Sequence, residues 1–150
     1  MQGNAKKFDR SFNLMSLWQL YYHFVWATKE RLPLISPEKE SHLYDFIIGK
    51  ADSLGAIVYA INGTENHIHL VVSVPPTIAL SDFIKRIKGS SSHDWNQNLA
   101  ISGNIFAWQG GYGVFSFGQK QLDWAIAYVK NQKIHHQNGS IILALEKDGE

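Results

Sequence analysis

From Leu17 to Ala27 the chain reads Leu-Trp-Gln-Leu-Tyr-Tyr-His-Phe-Val-Trp-Ala, a run so dense in aromatic and branched side chains that it suits one long, largely buried β-strand. The following segments supply what such a strand needs around it. After Pro33 and Ser36-Pro37, residues Glu38 to Leu54 place Leu43, Phe46, Ile47 and Ala51 three to four apart, the stripe of an amphipathic helix. Ser36 is the expected N-cap, Pro37 the first helical residue and Gly55 the stop. Ala56 to Ile61 and His67 to Val74 read as two strands joined through a turn over Asn62 to Asn66, hence a hairpin, which Pro75-Pro76 ends.

A second helix is expected from Leu80 to Asn98, with Phe83, Ile84 and Ile87 inward, Ser81 as cap, Gly89 as a weak point, and Lys85 and Lys88 outward. A glycine-rich stretch then surrounds Ile105 to Trp108 and Val114 to Phe117, either of which suits the last strand. The final helix is expected to start near Lys120, with Leu122, Ala125, Ile126 and Val129 as its stripe, and with Lys130, Lys133, His135 and His136 near its C-terminal end.

The order strand, helix, strand, strand, helix, strand, helix predicts an α+β fold: a ferredoxin-like or RRM-like antiparallel sheet with helices on one face and an additional C-terminal helix. With 150 residues and 45% hydrophobic composition, one domain over 17–137 is expected, between a polar N-terminal tail (1–16) and a C-terminal tail (138–150). The absence of cysteine excludes disulfides and thiolate metal sites. No apolar run is long enough to cross a bilayer and the first residues lack a leader pattern, so a cytoplasmic protein is expected. The net charge of +1 leaves local clusters to carry the argument: Lys85, Arg86 and Lys88 lie within four residues, and Lys29 and Arg31 follow the first strand.

Residues i and i+2 of a strand share a face, so His67 and His69 project together while Ile68 enters the opposite layer. Two imidazoles at that spacing can converge on one divalent ion and leave positions open for water or a phosphate oxygen. A bare His-x-His is equally compatible with two histidines on the solvent side of a half-buried strand, and a third ligand is required. In the last helix Tyr128 and Gln132 are four apart, one turn along a common face. Tyr128 can serve as a nucleophile and Gln132 offers a hard carbonyl oxygen, although a helical tyrosine more often simply packs. Glu65 and Asn66 are close enough in sequence to orient an imidazole, or are plain turn residues. Trp18, Phe24, Trp26 and Phe115 are expected in the core, whereas Trp95, Trp108 and Tyr112 are candidates to stack on bases.

Five blocks in order carry a resemblance: Tyr22 to Lys29 with Arg31, His67-Ile68-His69, Lys85 to Gly89 with Ser90, Trp108-Gln109-Gly110-Gly111-Tyr112, and Tyr128-Val129-Lys130-Asn131-Gln132. From about Leu17 to His136 the chain resembles the single-tyrosine HUH transposases of the small bacterial insertion sequences, the IS200-like family. The resemblance implies that His67, His69 and Gln132 hold a divalent metal, Mg or Mn. It implies that Tyr128 attacks a phosphodiester of single-stranded DNA, leaving a 5′-phosphotyrosine and a free 3′-hydroxyl that rejoins without a nucleotide triphosphate. It implies hairpin ends of an insertion sequence as substrate, and a homodimer in which Tyr128 acts in cis or in trans. Phosphate contacts are expected first from Lys85, Arg86 and Lys88, then from Lys29 and Arg31. Two competitors are a non-catalytic, host-adopted single-stranded nucleic-acid-binding protein and a His-x-His hydrolase of small molecules. Retention of all four site residues argues against the first, and the lack of an acidic residue at a convincing third-ligand spacing argues against the second.

Overall fold

The structure, a computed structural model, describes residues 16–149; the expected polar tail therefore lies, apart from Ser16, outside the described residues. Four strands form one antiparallel sheet in the order β2-β3-β1-β4, with β1 Tyr21–Ala27, β2 Ile57–Thr64, β3 His67–Ser73 and β4 Gly113–Phe117. This is the ferredoxin-like arrangement. The first strand begins at Tyr21 rather than Leu17, since β1 pairs with β4 only from Tyr21, opposite Phe117. β2 runs on to Thr64, so the hairpin turn tightens to Glu65-Asn66 and Asn62 to Thr64 pair with His69 to His67.

Helix α1 (Pro37–Ser53) starts where expected, after an extended Ser36, although that side chain makes no capping bond. It closes through Gly55 at φ 81°: the Ala56 amide bonds to the Ala51 carbonyl at 3.0 Å and the Gly55 amide to that of Asp52 at 2.9 Å, a left-handed stop that glycine adopts without a Cβ clash. Helix α2 (Leu80–Asn98) runs through Gly89 unbroken, and its cap is Ala79 instead of Ser81, which lies inside the first turn. Of the two candidates for the last strand, Val114 to Phe117 is taken. Ile105 to Trp108 remains irregular, with Trp108 forming a single bridge to Thr28.

Alternation along the strands sends side chains to two layers. Phe24, Trp26, Ile68, Leu70 and Val72 meet Leu43, Ile47 and Ala51 of α1 and Phe83, Ile84 and Ile87 of α2. Trp95, Trp108 and Tyr112 belong to this layer rather than to solvent: Trp95 is 5% exposed and stacked on Phe106, Tyr112 packs on Phe24, and the Trp108 indole donates to Ser91. On the other face Tyr21, Ala60 and Val71 meet Leu122, Ala125 and Val129 of α3 (Leu122–Lys130). α1 and α2 thus share one face and the appended helix covers the other.

The final helix is broken once. Asn131 sits at φ −100°, ψ 18° between α3 and α4 (Gln132–Asn138), and its own carboxamide donates to the Ala127 carbonyl at 2.9 Å. A side chain that bonds back to the preceding turn disturbs the helix there. The Asn131 and His135 amides still reach Ala127 and Asn131, so the two helices continue in nearly one direction.

Candidate active site

β3 is buried on both faces, and its odd residues bring His67 (3% exposed) and His69 (0%) under the α3–α4 layer. Their ring centroids are 5.1 Å apart. The two imidazoles are oriented differently. His67 Nδ1 faces Asn66 Oδ1 at 2.8 Å and Thr64 Oγ1 at 2.9 Å. An amide oxygen only accepts, so His67 carries a proton on Nδ1 and turns its Nε2 inward. That Nε2 is buried without a hydrogen-bond partner. Asn66 therefore orients an imidazole, whereas Glu65 stays exposed in the turn and only its carbonyl is used, by the Ile35 amide.

His69 Nδ1 meets His23 Nε2 at 2.7 Å, and its Nε2 looks into the site. His23 is 2% exposed and also packs on Phe115 and Tyr128. Burial, with repulsion from His69 adding to it, lowers His23 to about 3, and burial likewise lowers His69 below the ordinary imidazole range. Both rings are neutral at pH 7, the form in which a histidine ligates.

Tyr128 and Gln132 come from α3 and α4 onto the same spot. A single carboxylate connects the set. Glu146 Oε1 lies 3.1 Å from His69 Nε2, 3.1 Å from His136 Nε2 and 3.4 Å from His67 Nε2. Glu146 Oε2 accepts from Tyr128 Oη at 2.5 Å and from Gln132 Nε2 at 3.3 Å. Tyr128 Oη in turn accepts from the Ile142 amide at 3.0 Å. Burial alone drives the Glu146 carboxyl upward, but its contacts with His67, His69 and Tyr128 outweigh this and hold it well below the usual carboxylate range. The same proximity, after burial, pushes the Tyr128 phenol above its ordinary value.

The donor set suits a divalent cation: an orphaned, buried Nε2 on His67, a neutral His69, and ligand atoms of His67, His136 and Glu146 all within 4.8 Å of one another. Gln132 turns its Oε1 toward His136 Nε2 at 3.2 Å, and a half-turn of the amide exchanges that oxygen for the nitrogen. His23, His136 and Glu146 were not singled out from sequence. The register offers a sign of the first, since Val25 faces His69 and His23 is its diagonal neighbour on the same face. His136 follows Gln132 by one helical turn. For Glu146 no local signal exists, because its segment is brought back by tertiary contacts, including Arg31 to Asp148 at 2.5 Å.

The basic residues lie elsewhere. Lys85 and Arg86 are exposed on α2, across the sheet from the histidines, and Lys29 is exposed after β1. Lys88 is half-buried, its Nζ donating to the Gln109 and Gly111 carbonyls at 2.7 and 2.8 Å, and burial lowers its pKa. Arg31 is paired with Asp148. One large aromatic does face solvent near the site: Trp124, 53% exposed, stacks on the Tyr128 ring at 5.7 Å.

A ferredoxin-like sheet with a tyrosine helix laid over paired histidines is the layout expected of the single-tyrosine transposases. The chain belongs to the IS200-like transposase family, whose model, described as Transposase IS200 like, matches residues 16–132. It is similar to the ISDra2 transposase TnpA of Deinococcus radiodurans, at 33% identity over 76 residues, 51% of this chain and 54% of that protein. The match thus spans about half the length of that relative. In fold it is similar to the crystal structure of a putative transposase from Deinococcus radiodurans R1 at TM-score 0.63, with 24% identity over 78% of this chain and 93% of the other. It is also similar to a REP-associated tyrosine transposase bound to a REP hairpin, at TM-score 0.59 and 16% identity over 85% and 76% of the two chains. Among the described residues no helix is long and apolar enough to cross a membrane.

Proposed function

We propose that this chain cleaves and rejoins single-stranded DNA at the ends of an insertion sequence, with Tyr128 as nucleophile and with His67, His69 and Gln132 as ligands of a divalent metal, Mg or Mn. The observation that carries the reading is the meeting of Tyr128 Oη, His67, His69 and Gln132 around one anionic group, the Glu146 carboxylate. A non-bridging phosphate oxygen is an anion of similar size and suits the same surroundings once Glu146 moves aside.

In the forward step the Tyr128 oxygen forms a bond to phosphorus, the bond from phosphorus to the 3′-oxygen breaks, and the phenol proton is released as the 3′-hydroxyl is formed. The product is a 5′-phosphotyrosine, and attack by a 3′-hydroxyl on that ester reverses the step. A bound divalent cation supplies charge withdrawal from the phosphate and fixes its orientation. His67 and His69 offer their inward nitrogens as ligands, the first ring set by Asn66 and Thr64. Tyr128 lies over the histidines of its own chain, where Lys133 Nζ ties α4 to Asn62 Oδ1 at 2.7 Å and Glu40 at 3.0 Å. That supports a cis placement of Tyr128; a homodimer acting in the cytoplasm is part of the same proposal.

Lys85, Arg86 and Lys29 meet DNA phosphates in this reading. Arg31 and Lys88 do so only by giving up Asp148 and the Gln109 and Gly111 carbonyls. The solved relative bound to a REP hairpin supports hairpin DNA as the substrate. The test is incubation of labelled single-stranded hairpin oligonucleotides with the protein and Mg2+ or Mn2+. A denaturation-resistant protein–DNA adduct is expected, lost in Tyr128→Phe with DNA binding retained. Absence of any adduct across a broad set of hairpin ends, with binding intact, favours a non-catalytic binding protein.

A further inference from the structure

The histidine pair is supported unequally, and the difference points to a residue that the cleavage chemistry does not itself use. An imidazole that ligates through Nε2 must carry its proton on Nδ1 and needs an acceptor there. His67 has acceptors in Asn66 Oδ1 and Thr64 Oγ1. Among the described residues His69 has neither an amide, a carboxylate nor a backbone carbonyl at Nδ1. Its partner is another imidazole, His23 Nε2 at 2.7 Å, inside the sheet where both rings are shut off from water.

A bond between two imidazole nitrogens contains one proton, and either ring can own it. With Glu146 in the site, His69 Nε2–H donates to Glu146 Oε1, so its Nδ1 accepts from His23 Nε2–H. For His69 to offer its Nε2 lone pair, the pair must take the opposite arrangement, with His69 Nδ1–H donating to His23 Nε2. Both arrangements keep the two rings neutral. His67 has no such freedom, because an amide oxygen cannot donate.

We propose that His23 is the positioning residue of the metal site, an acceptor that fixes His69 in the Nδ1–H form when the site is loaded and yields to the reverse form when Glu146 fills it. The proposal rests on the reading of His67 and His69 as ligands. Its content is specific to one nitrogen: what matters at position 23 is an acceptor where His23 Nε2 lies, beyond the volume of a ring packed against Phe115 and Tyr128.

The experiment compares Mn2+ affinity, by calorimetric titration of the full chain, among wild type, His23→Gln, His23→Phe and His69→Ala. Gln places a carboxamide oxygen near the Nε2 position, while Phe keeps a ring and removes the acceptor. Losing a partner of this kind weakens metal affinity by about 10- to 100-fold. A loss in that range is expected for His23→Phe, with His23→Gln staying within about threefold of wild type by the same reasoning. Equal losses in the two variants, or none in His23→Phe while His69→Ala abolishes binding, overturn the role of His23 and leave the ligand assignment standing. Binding unaltered in His69→Ala, or absent from wild type, overturns the ligand assignment and this proposal with it. If His23→Phe does not fold, long-range 1H–15N spectra of histidine-labelled wild type decide the matter. His69 protonated at Nδ1 and His23 bare at Nε2 after Zn2+ addition support the proposal, and the reverse assignment overturns it.

Discussion

The phenol of Tyr128 is hydrogen-bonded to Glu146, its Oη donating to Oε2 at 2.5 Å. The proposed nucleophile is therefore held by a carboxylate from the C-terminal segment of the same chain. Burial and this carboxylate both raise the phenol above its ordinary value. In Glu146→Gln the second contribution disappears while burial remains. Tyr128 is expected to titrate lower than in wild type, as read from 13Cζ-tyrosine NMR against pH. An unchanged Tyr128 titration rules out the carboxylate as a cause.

Gly113 gives an independent handle on the same carboxylate. A Cβ there would overlap the carbonyl oxygen of Lys147, the residue after Glu146, and fall 2.9 Å from Val25 Cγ1. Backbone cannot yield to such an overlap, so Gly113→Ala is expected to lift the C-terminal segment off β4 and release both Glu146 and Asp148. Hydrogen exchange should speed up at the amides of residues 142–148, and the Tyr128 titration should move down as it does in Glu146→Gln. Unaltered exchange shows that the segment is held by contacts other than this close approach.

Lys88 and Lys85 should separate under mutation although they are three apart on α2. Lys88 serves two carbonyls in the Gln109–Gly111 loop, and Lys88→Met leaves both without that donor. A loss of about 1 kcal/mol of stability is expected, the ordinary scale for such bonds. Lys85→Met, on the exposed face, should leave stability within about 0.5 kcal/mol and instead reduce the salt dependence of single-stranded DNA binding, by about one unit or less in the log–log slope. Urea titrations paired with binding at several salt concentrations measure both, and a destabilised Lys85 variant speaks against the division.

Acid should destabilise the metal-free protein early. His23 and His69 are lowered in the folded state, His23 to about 3, whereas the unfolded rings titrate near 6.5. For His23, between those values the unfolded chain binds a proton that the folded one refuses, so its contribution is full above about 6.5 and falls as pH drops, by about 1.4 kcal/mol per pH unit, and His69 adds a loss of the same sign. Glu146, also lowered, adds a further loss below about 4.3, where an unfolded glutamate takes up its proton. Urea midpoints measured from pH 7.5 to 4.5 should show the decline, and His23→Phe should flatten it. Identical slopes in the two proteins show that His23 does not contribute.

The sheet, helices α1 and α2 and the His67–His69 face follow from patterns that operate within a few residues: alternation along β3, the i to i+4 stripes of α1 and α2, the Pro37 start and the Gly55 stop. The common face of Tyr128 and Gln132 was legible for the same reason, the two being one turn apart, while their proposed roles rest on the family resemblance. Asn131 was not, because a side chain bonding back to Ala127 breaks the helix without any proline or glycine to mark it. Trp95, Trp108 and Tyr112 sit in polar or glycine-rich sequence, and only the tertiary fold shows them packed inward. Glu146 was invisible for a related reason. Its neighbours in sequence say nothing of His69, which lies 77 residues away and becomes its partner only when the chain returns over β4.

One consequence follows from the covering of both faces of the sheet. In single-strand binders whose β-surface stands open, bases lie flat on the strands and are read there through their rings. Here that surface is roofed by α3 and α4, leaving no bare β-platform among the described residues. In the reading proposed above, DNA therefore approaches Tyr128 at the edge of the α3–α4 layer, beside Trp124, rather than across the strands.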